Sequence, residues 1–295
     1  MCSDPSDSCD KNVSAHGWLD CFADAIIAAR ESVAGHRFLI TEFNCGWKGT
    51  PADGWSVGGG ESTEYAAAFL FRAVNALRAH DISALSWWTF STIFEEKHGV
   101  PTVGTDSGHE FGPFAADAAM QSVRGVPLPI YRAFQLLRDA GDTVLPVATT
   151  GTGAGFEQSG PLTVMATKNA SDLGLRVFLS NFARLDGNAT PERPAANSSR
   201  TVQLTVLCPT RSPGAAAATV RTINSTCANP KAVWIDEMQS VPWPSAAQLD
   251  KLRVASRVCE DEVRLRWANA SPARAAATLE VRLEAFAVAE VSLRC

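Results

Sequence analysis

Two short apolar runs in the first half of the chain predict strands that are buried on both faces. One is centred on residues 38–40 and the other covers residues 82–91. Predominantly apolar runs of this length are typical of parallel strands inside an α/β fold. Between them, apolar residues recur at helical spacing from Ser62 to His80, and Ser62 or Thr63 is available as the N-cap. The order strand, helix, strand predicts a βαβ unit.

The second half of the chain shows a different pattern, in which apolar and polar residues alternate. Val202, Leu204 and Val206 alternate with Gln203 and Thr205, which predicts antiparallel strands with one wet face. The predicted strands are Leu162–Thr167, Gly174–Asn181, Thr201–Cys208, Val263–Trp267, Leu279–Leu283 and Phe286–Leu293. Together they predict a β-sandwich, with exposed loops at 191–196 and 213–218.

Carboxylates and aromatic rings cluster where the two apolar runs end. Glu42 lies near the end of the first run, and Glu95 and Glu96 follow the second. A carboxylate beside a buried strand is costly unless it is paired or used in a site. Glu42 is therefore either a structural partner of Arg37 or Lys48, or a catalytic group.

These motifs resemble glycoside hydrolase family 39, the β-xylosidases and α-L-iduronidases of the retaining barrel clan. The resemblance covers roughly residues 19 to 145, and a weaker similarity continues into Trp234–Glu237 and Pro244–Leu252, which are similar to the family's C-terminal sandwich. It is carried by Thr41-Glu-Phe-Asn44, Trp87-Trp-Thr-Phe-Ser91, Phe94-Glu-Glu96 and the predicted helix Pro129–Leu137 with Gly141 beyond it. The sequences of these motifs are more similar to the xylosidase branch of the family than to the iduronidase branch.

The resemblance implies a retaining mechanism that uses two carboxylates, with Glu42 as the nucleophile at the end of the seventh barrel strand. One of the two adjacent tryptophans would stack on the sugar, because neighbouring strand residues point to opposite faces. The substrate-binding residues that it implies are Asn44, Trp87 or Trp88, Glu95 or Glu96, and His109.

The sequence departs from the family in one important respect. The family's acid/base glutamate lies in an Asn-Glu-Pro motif upstream of these residues, and no Asn-Glu-Pro occurs in the chain. A full barrel takes roughly 250 residues. We therefore expect a partial (β/α)8 TIM barrel containing the last strands and helices at 1–147, a glycine-rich linker at 148–158 and an antiparallel β-sandwich at 159–295. The expected function is that of a truncated glycosidase without its acid/base residue.

The composition and charge of the chain exclude some classes of binding partner. It has 295 residues, a formal net charge of -5 and 46% hydrophobic residues. No basic stripe indicates nucleic-acid binding, and no apolar run reaches the ~20 residues of a membrane helix. No CxxC pair or histidine spacing indicates a metal, and we expect no cofactor. The expected partner is a small carbohydrate of the xyloside or uronide type, while the oligomeric state stays open.

Cysteines and glycosylation sequons indicate an oxidising compartment. Eight cysteines allow full pairing, for which Cys208–Cys227 and Cys259–Cys295 are plausible bridges, although sequence leaves the connectivity open. Six asparagines begin Asn-x-Ser/Thr motifs: Asn12, Asn169, Asn188, Asn197, Asn224 and Asn269. We therefore expect a secreted or lysosomal glycoprotein, and expect any signal segment to lie upstream of Met1.

Two alternative functions remain open. A non-catalytic carbohydrate-binding or interaction protein could be built from the sandwich and the barrel remnant. A serine hydrolase would use Ser56, because Gly54-Trp-Ser-Val-Gly58 matches the nucleophile-elbow pattern. That elbow requires a strand immediately before it and a helix immediately after it, and the flanking residues 51–53 and 59–60 predict neither. A glycine-rich loop over a site is the simpler interpretation.

Overall fold

The computed structural model describes residues 25–33, 35–43, 63–87, 90, 120–121, 125–150, 162–169, 174–182, 199–208, 217–239, 241, 243–271 and 274–294.

The first half of the chain contains the predicted βαβ unit. Strands β1 (Phe38–Phe43) and β2 (Ile82–Trp87) pair in parallel, and an α-helix, α2 (Glu64–Leu77), connects them in the chain. The helix begins at one of the two predicted caps, because the hydroxyl of Thr63 accepts a hydrogen bond from the backbone N–H of Tyr65 at 3.3 Å. The sequence pattern therefore predicted the helix and its N-cap. The prediction that both strands are buried on both faces is wrong, because Leu39 is 50% exposed and only Phe43 and Trp87 of the two strands are buried.

Two more helices lie against the hydrophobic core that contains α2. Residues 25–32 form α1, and Arg30 of α1 binds Asp81, just before β2, at 2.6 Å. Pro129–Arg138 form α3, which starts with a proline at its first position, where no backbone N–H is needed. The side chain of Arg132 in α3 donates to the carbonyl of Ser256 at 2.7 Å. This bond attaches α3 to the second half of the chain.

Helix α2 is buried on most of its surface because a sheet lies on each side of it. Eleven of its fourteen residues are buried. On one side, the ring of Phe69 stacks on Phe43 of β1 with the centroids 5.3 Å apart. On the other side, Phe71 contacts Phe178 of a second sheet at 5.8 Å. Apart from Glu64, Arg72 and Asn75 the helix is apolar, and its large side chains point to both sides, so a packed layer is needed on each side.

The second half of the chain forms two antiparallel sheets, as predicted. The strands are β3 (Thr143–Leu145), β4 (Leu162–Lys168), β5 (Gly174–Asn181), β6 (Arg200–Cys208), β7 (Ala217–Ile223), β8 (Cys259–Arg264), β9 (Arg266–Ser271), β10 (Arg274–Leu283) and β11 (Val288–Arg294). One sheet has six strands in the order β3-β4-β5-β11-β7-β8, and the other has three in the order β6-β10-β9.

The central strands of the six-stranded sheet are buried on both faces, whereas the three-stranded sheet is buried on one. Phe178 and Val288 of the six-stranded sheet face the core that contains α2. Their neighbours Leu179 and Ala289 face a second core, shared with the three-stranded sheet. The outer face of β6 is exposed at Gln203, which confirms the predicted wet face. The six-stranded sheet is therefore the layer that joins the two cores.

Two predictions about the strands are wrong in detail. Residues 217 and 218 were expected in a loop, yet they begin β7, and Ala218 is buried. The predicted strand Val263–Trp267 is interrupted at the buried Leu265, where the chain passes from the six-stranded sheet to the three-stranded sheet. Residues 215–218 are alanines, which have little strand propensity. Contacts with neighbouring strands therefore decide that residues 217 and 218 join β7.

The segments that resembled part of the sandwich at Trp234–Glu237 and Pro244–Leu252 lie mainly in helices. These are α4 (Pro230–Asp236) and α5 (Ala246–Ala255), inserted between β7 and β8. The capping box of Ser245 and Gln248 explains where α5 begins. No helix among the described residues is long and apolar enough to cross a membrane.

The disulfide connectivity differs from the pairs considered in the sequence. Cys227 is bonded to Cys259, with Cα atoms 5.5 Å apart, so neither Cys208–Cys227 nor Cys259–Cys295 forms. The reason is that β7 and β8 are antiparallel neighbours, with Thr222 opposite Cys259. The sheet topology brings Cys227 and Cys259 together, and alternation along the sequence does not reveal that topology. Cys208 is also disulfide-bonded.

The six-stranded sheet begins before the predicted linker. Strand β3 lies at the end of the range expected for the barrel part and pairs with β4. Gly141 makes this possible, because a Cβ atom there would come within 2.1 Å of the backbone of Lys168. The boundary at 148–158 remains a prediction, and residues 151–158 lie outside the described residues.

A buried ion network attaches α3 to the six-stranded sheet. Glu290 of β11 is fully buried and binds both Arg176 of β5, at 2.5 Å, and Arg221 of β7. Arg221 also binds Asp139, the C-cap of α3, at 2.8 Å. Burial alone would raise the pKa of Asp139, but hydrogen bonds and charges from Arg221 and Arg138 lower it below its usual value. The ionised form of Asp139 therefore stabilises the fold.

We expect Asp139→Asn to lower the free energy of unfolding by about 1 kcal/mol at neutral pH, because Asp139 is partly exposed. The folded-state pKa lies below the unfolded value of about 3.9, so this stabilisation is present above that value and is lost as the pH falls through the folded-state pKa. Urea unfolding between pH 7 and about pH 3 measures the difference. The control is Asp250→Asn, which breaks an exposed pair with Arg253 and should change stability by less. Equal losses at every pH would contradict the assignment.

Candidate active site

The candidate site lies at the carboxyl end of the parallel sheet. Because β1 and β2 are parallel, their last residues meet at the same edge, where Phe43 pairs with Trp87. Glu42 precedes Phe43 and is exposed. In open and closed α/β sheets, the carboxyl edge of parallel strands is where functional groups collect.

An irregularity in β1 explains how Glu42 becomes exposed. Ile40 pairs with Leu85 and Phe43 pairs with Trp87, so β1 has one more residue than β2 between these two pairs. In a regular strand, Phe43 would lie on the face opposite Ile40. The extra residue instead returns Phe43 to the core and leaves Glu42 exposed. Bulges often redirect a side chain in this way next to active sites.

Trp87, one of the two tryptophans predicted to stack on a sugar, lies in the hydrophobic core. Its side chain is 6% exposed. Its ring contacts Phe43 edge-on at 5.3 Å, and it also contacts Phe69 and Phe134 at 6.5 and 6.4 Å. An indole packed in this way anchors the end of β2 against α2 and α3. The stacking role therefore passes, as a prediction, to Trp88.

Most of the other predicted site residues lie outside the described residues. The structure places Glu42 and Trp87 at one edge of the sheet and gives no position for the rest. Those outside the described residues are Asn44, Ser56, Trp88, Glu95, Glu96 and His109. Within the described part of the chain, no group of three His, Cys, Asp or Glu side chains could hold a metal ion.

Sequence reasoning gave no separate role to Phe90, which follows β2. Its side chain is 58% exposed, and its ring contacts Tyr131 of α3 edge-on at 6.2 Å. Its carbonyl accepts a hydrogen bond from the backbone of Gln121 at 3.1 Å. Phe90 thus presents an exposed aromatic ring beyond the carboxyl end of β2. The three aromatic residues within 87–90 were its signal in the sequence, but the pattern could not separate core rings from exposed ones.

A family comparison identifies the group to which these features belong. The model of the glycosyl hydrolases of family 39 matches residues 11–270. The chain belongs to this family. The family resemblance predicted from the motifs around Glu42 and Trp87 is confirmed.

Individual relatives agree with the family assignment. The chain is 26% identical over 200 residues to a β-xylosidase of Caldicellulosiruptor saccharolyticus, which covers 68% of this chain and 35% of that protein. Its fold is similar to that of a monomeric β-xylosidase from Caulobacter crescentus, with a TM-score of 0.65 and 16% identity, over 94% of this chain and 50% of the other. It is also similar to a family 39 enzyme from Xanthomonas axonopodis, with a TM-score of 0.62 and 12% identity, over 97% and 50% of the two chains.

The chain spans only part of these relatives. It corresponds to about a third of the curated β-xylosidase and to half of each of the two solved structures. These comparisons therefore establish the family of this chain. They do not establish which reaction the complete protein catalyses.

The core position of Trp87 is testable by truncation. We expect Trp87→Ala to lower the free energy of unfolding by about 3–5 kcal/mol, because it removes a large buried ring. Trp243, whose side chain is 63% exposed, provides the matched control. Trp243→Ala should change stability by about 0.5 kcal/mol or less. Urea unfolding midpoints measure both effects, and similar losses for the two variants would contradict the assignment of Trp87 to the core.

Proposed function

We propose that this chain is the carboxyl-terminal part of a retaining glycosidase of the β-xylosidase type, with Glu42 as the nucleophile. The observation that carries the proposal is the exposure of Glu42 at the carboxyl edge of the parallel sheet, in a chain that belongs to family 39. The extra residue in β1 turns Glu42 away from the core and toward this edge, which supports the proposal.

In this mechanism, a carboxylate of Glu42 attacks the anomeric carbon of the sugar while the glycosidic bond breaks. The leaving oxygen takes a proton from a second carboxyl group, about 5 to 5.5 Å away in retaining enzymes. Water then hydrolyses the glycosyl ester, and the second group serves as the base. The packing of Phe43 against Phe69 and Trp87 fixes the backbone beside Glu42, so that the carboxylate needs little reorganisation to react.

The second carboxyl group would come from sequence upstream of this chain. No Asn-Glu-Pro occurs in the 295 residues, and the chain matches half of the length of the family 39 structures. We accordingly propose that residues 1–147 complete a (β/α)8 barrel whose earlier strands lie elsewhere, with the linker and sandwich following at 148–158 and 159–295. Glu42 then needs that upstream part for turnover of unactivated substrates.

The proposed substrate is a small carbohydrate of the xyloside or uronide type, bound without a cofactor. Asn44, Trp88, Glu95, Glu96 and His109 are the proposed contacts. The proposed compartment is extracellular or lysosomal, in agreement with the disulfide between Cys227 and Cys259.

A non-catalytic carbohydrate-binding protein is the second candidate. The observation in its favour is that the chain contains no Asn-Glu-Pro motif. If no upstream part joins this chain, Glu42 has no acid/base partner of the family type. Sugar binding without hydrolysis would then be the remaining function.

Covalent labelling of Glu42 tests the primary proposal. A dinitrophenyl 2-deoxy-2-fluoro-β-xyloside carries a leaving group that departs without protonation, so the first step does not need the acid/base residue. We expect the peptide that contains Glu42 to gain the mass of the fluoroxylosyl group, measured by mass spectrometry after digestion. The control variant Glu42→Gln should gain none.

Two outcomes would contradict the proposal. The first is labelling of another carboxylate, and the second is no labelling even when the chain is joined to its upstream coding sequence. Binding of xylo-oligosaccharides to that longer protein, without label or hydrolysis, would support the non-catalytic alternative.

A further inference from the structure

The turn that follows β7 is organised by the side chain of Asn224. The side-chain oxygen of Asn224 accepts hydrogen bonds from the backbone N–H of Thr226 at 2.9 Å, from the hydroxyl of Thr226 at 3.1 Å and from the backbone N–H of Cys227 at 2.8 Å. The backbone N–H of Asn224 donates to the carbonyl of Cys227 at 3.0 Å. An asparagine that bonds to the backbone two residues later closes an Asx turn.

Contacts on both sides hold this turn in place. The disulfide between Cys227 and Cys259 joins it to the start of β8. The hydroxyl of Ser225 donates to the carboxylate of Glu284 at 2.7 Å. The turn is therefore fixed covalently, in a state that only an oxidising compartment supports.

The side-chain nitrogen of Asn224 is placed differently from the oxygen. The oxygen faces the turn, so the amide group directs its nitrogen away from it. Among the described residues, this Nδ2 donates no hydrogen bond, and the following Ser225 and Thr226 are exposed. Asn229 gives the contrast, because it is buried and its Nδ2 donates to Glu64 at 2.6 Å.

We propose that Asn224 is an N-glycosylation site of this protein. Asn224, Ser225 and Thr226 form an Asn-x-Thr acceptor motif. The donor is an oligosaccharide carried on a lipid pyrophosphate. The amide nitrogen forms a bond to C1 of the first sugar, the bond from C1 to the pyrophosphate oxygen breaks, the lipid pyrophosphate leaves, and the amide loses one proton.

The modification is compatible with the folded turn. A glycosylated asparagine keeps its carbonyl oxygen, so all three hydrogen bonds to Thr226 and Cys227 remain. The nitrogen retains one hydrogen and gives up no protein partner within the described part of the chain. Asn224 and Cys227 lie three residues apart along the chain. Glycosylation of the first and disulfide bonding of the second both take place in the secretory pathway. The inference does not depend on the catalytic role of Glu42.

Site-specific occupancy tests the proposal. The full chain is secreted from a eukaryotic host, and glycans are removed by an amidase in heavy-oxygen water, which tags each released asparagine as a labelled aspartate. We expect the tag at Asn224 in the protein that contains the Cys227–Cys259 disulfide. Asn229, which is followed by Pro230, is the internal control and should stay untagged.

Three variants separate glycosylation from effects on folding. Asn224→Asp keeps the acceptor oxygen of the turn but cannot carry the glycan, so it should fold and migrate as a protein lighter by one glycan. Thr226→Ser should keep the modification, and Thr226→Val should abolish it. An untagged Asn224 in secreted protein with the disulfide closed overturns the proposal. The same mobility for Asn224→Asp and the unaltered chain overturns it as well.

Discussion

The burial of helix α2 between two sheets is the constraint on which the rest of the structure depends. Eleven of its fourteen residues are buried, with β1 and β2 packed on one side and the six-stranded sheet on the other. The rings of Tyr65, Phe69 and Phe71 are the points where these layers meet. The sheet of the second half is therefore part of the core that supports β1, rather than a separate appendage.

This arrangement links the candidate site to residues far away in the sequence. Phe43 is held by Phe69 and Trp87, which fixes the extra residue in β1 and the exposure of Glu42. On the side of α2 and α3 that faces the six-stranded sheet, Glu290 binds Arg176 and Arg221. Arg221 in turn holds the end of α3 through Asp139. Glu290 is fully buried and its two arginines are only partly exposed, so its removal should cost more than removal of the partly exposed Asp139. Packing against α2 and α3 therefore holds the ends of β1 and β2 in place.

Local patterns predicted much of this fold. The apolar runs gave β1 and β2, the cap at Thr63 gave the start of α2, and alternation gave most strands of the two antiparallel sheets. Two consecutive polar residues, Thr41 and Glu42, stand between apolar neighbours where β1 has its extra residue. They were the only sign of this bulge in the sequence. What local patterns could not supply depends on topology: the sheet change at Leu265, the partner of Cys227, and the side of the sheet on which Trp87 lies. Each is decided by contacts between residues distant in sequence.

The most direct test of the shared core is native-state hydrogen exchange on the whole chain. If one core joins the layers, the slowest amides of β1 and β2 should exchange with the same free energy of opening as those of β5 and β11, which is the free energy of global unfolding. They should also respond together to urea. Rapid, independent exchange of β1 and β2 while β5 and β11 remain protected would contradict the account, because the strands that present Glu42 would then open without the six-stranded sheet.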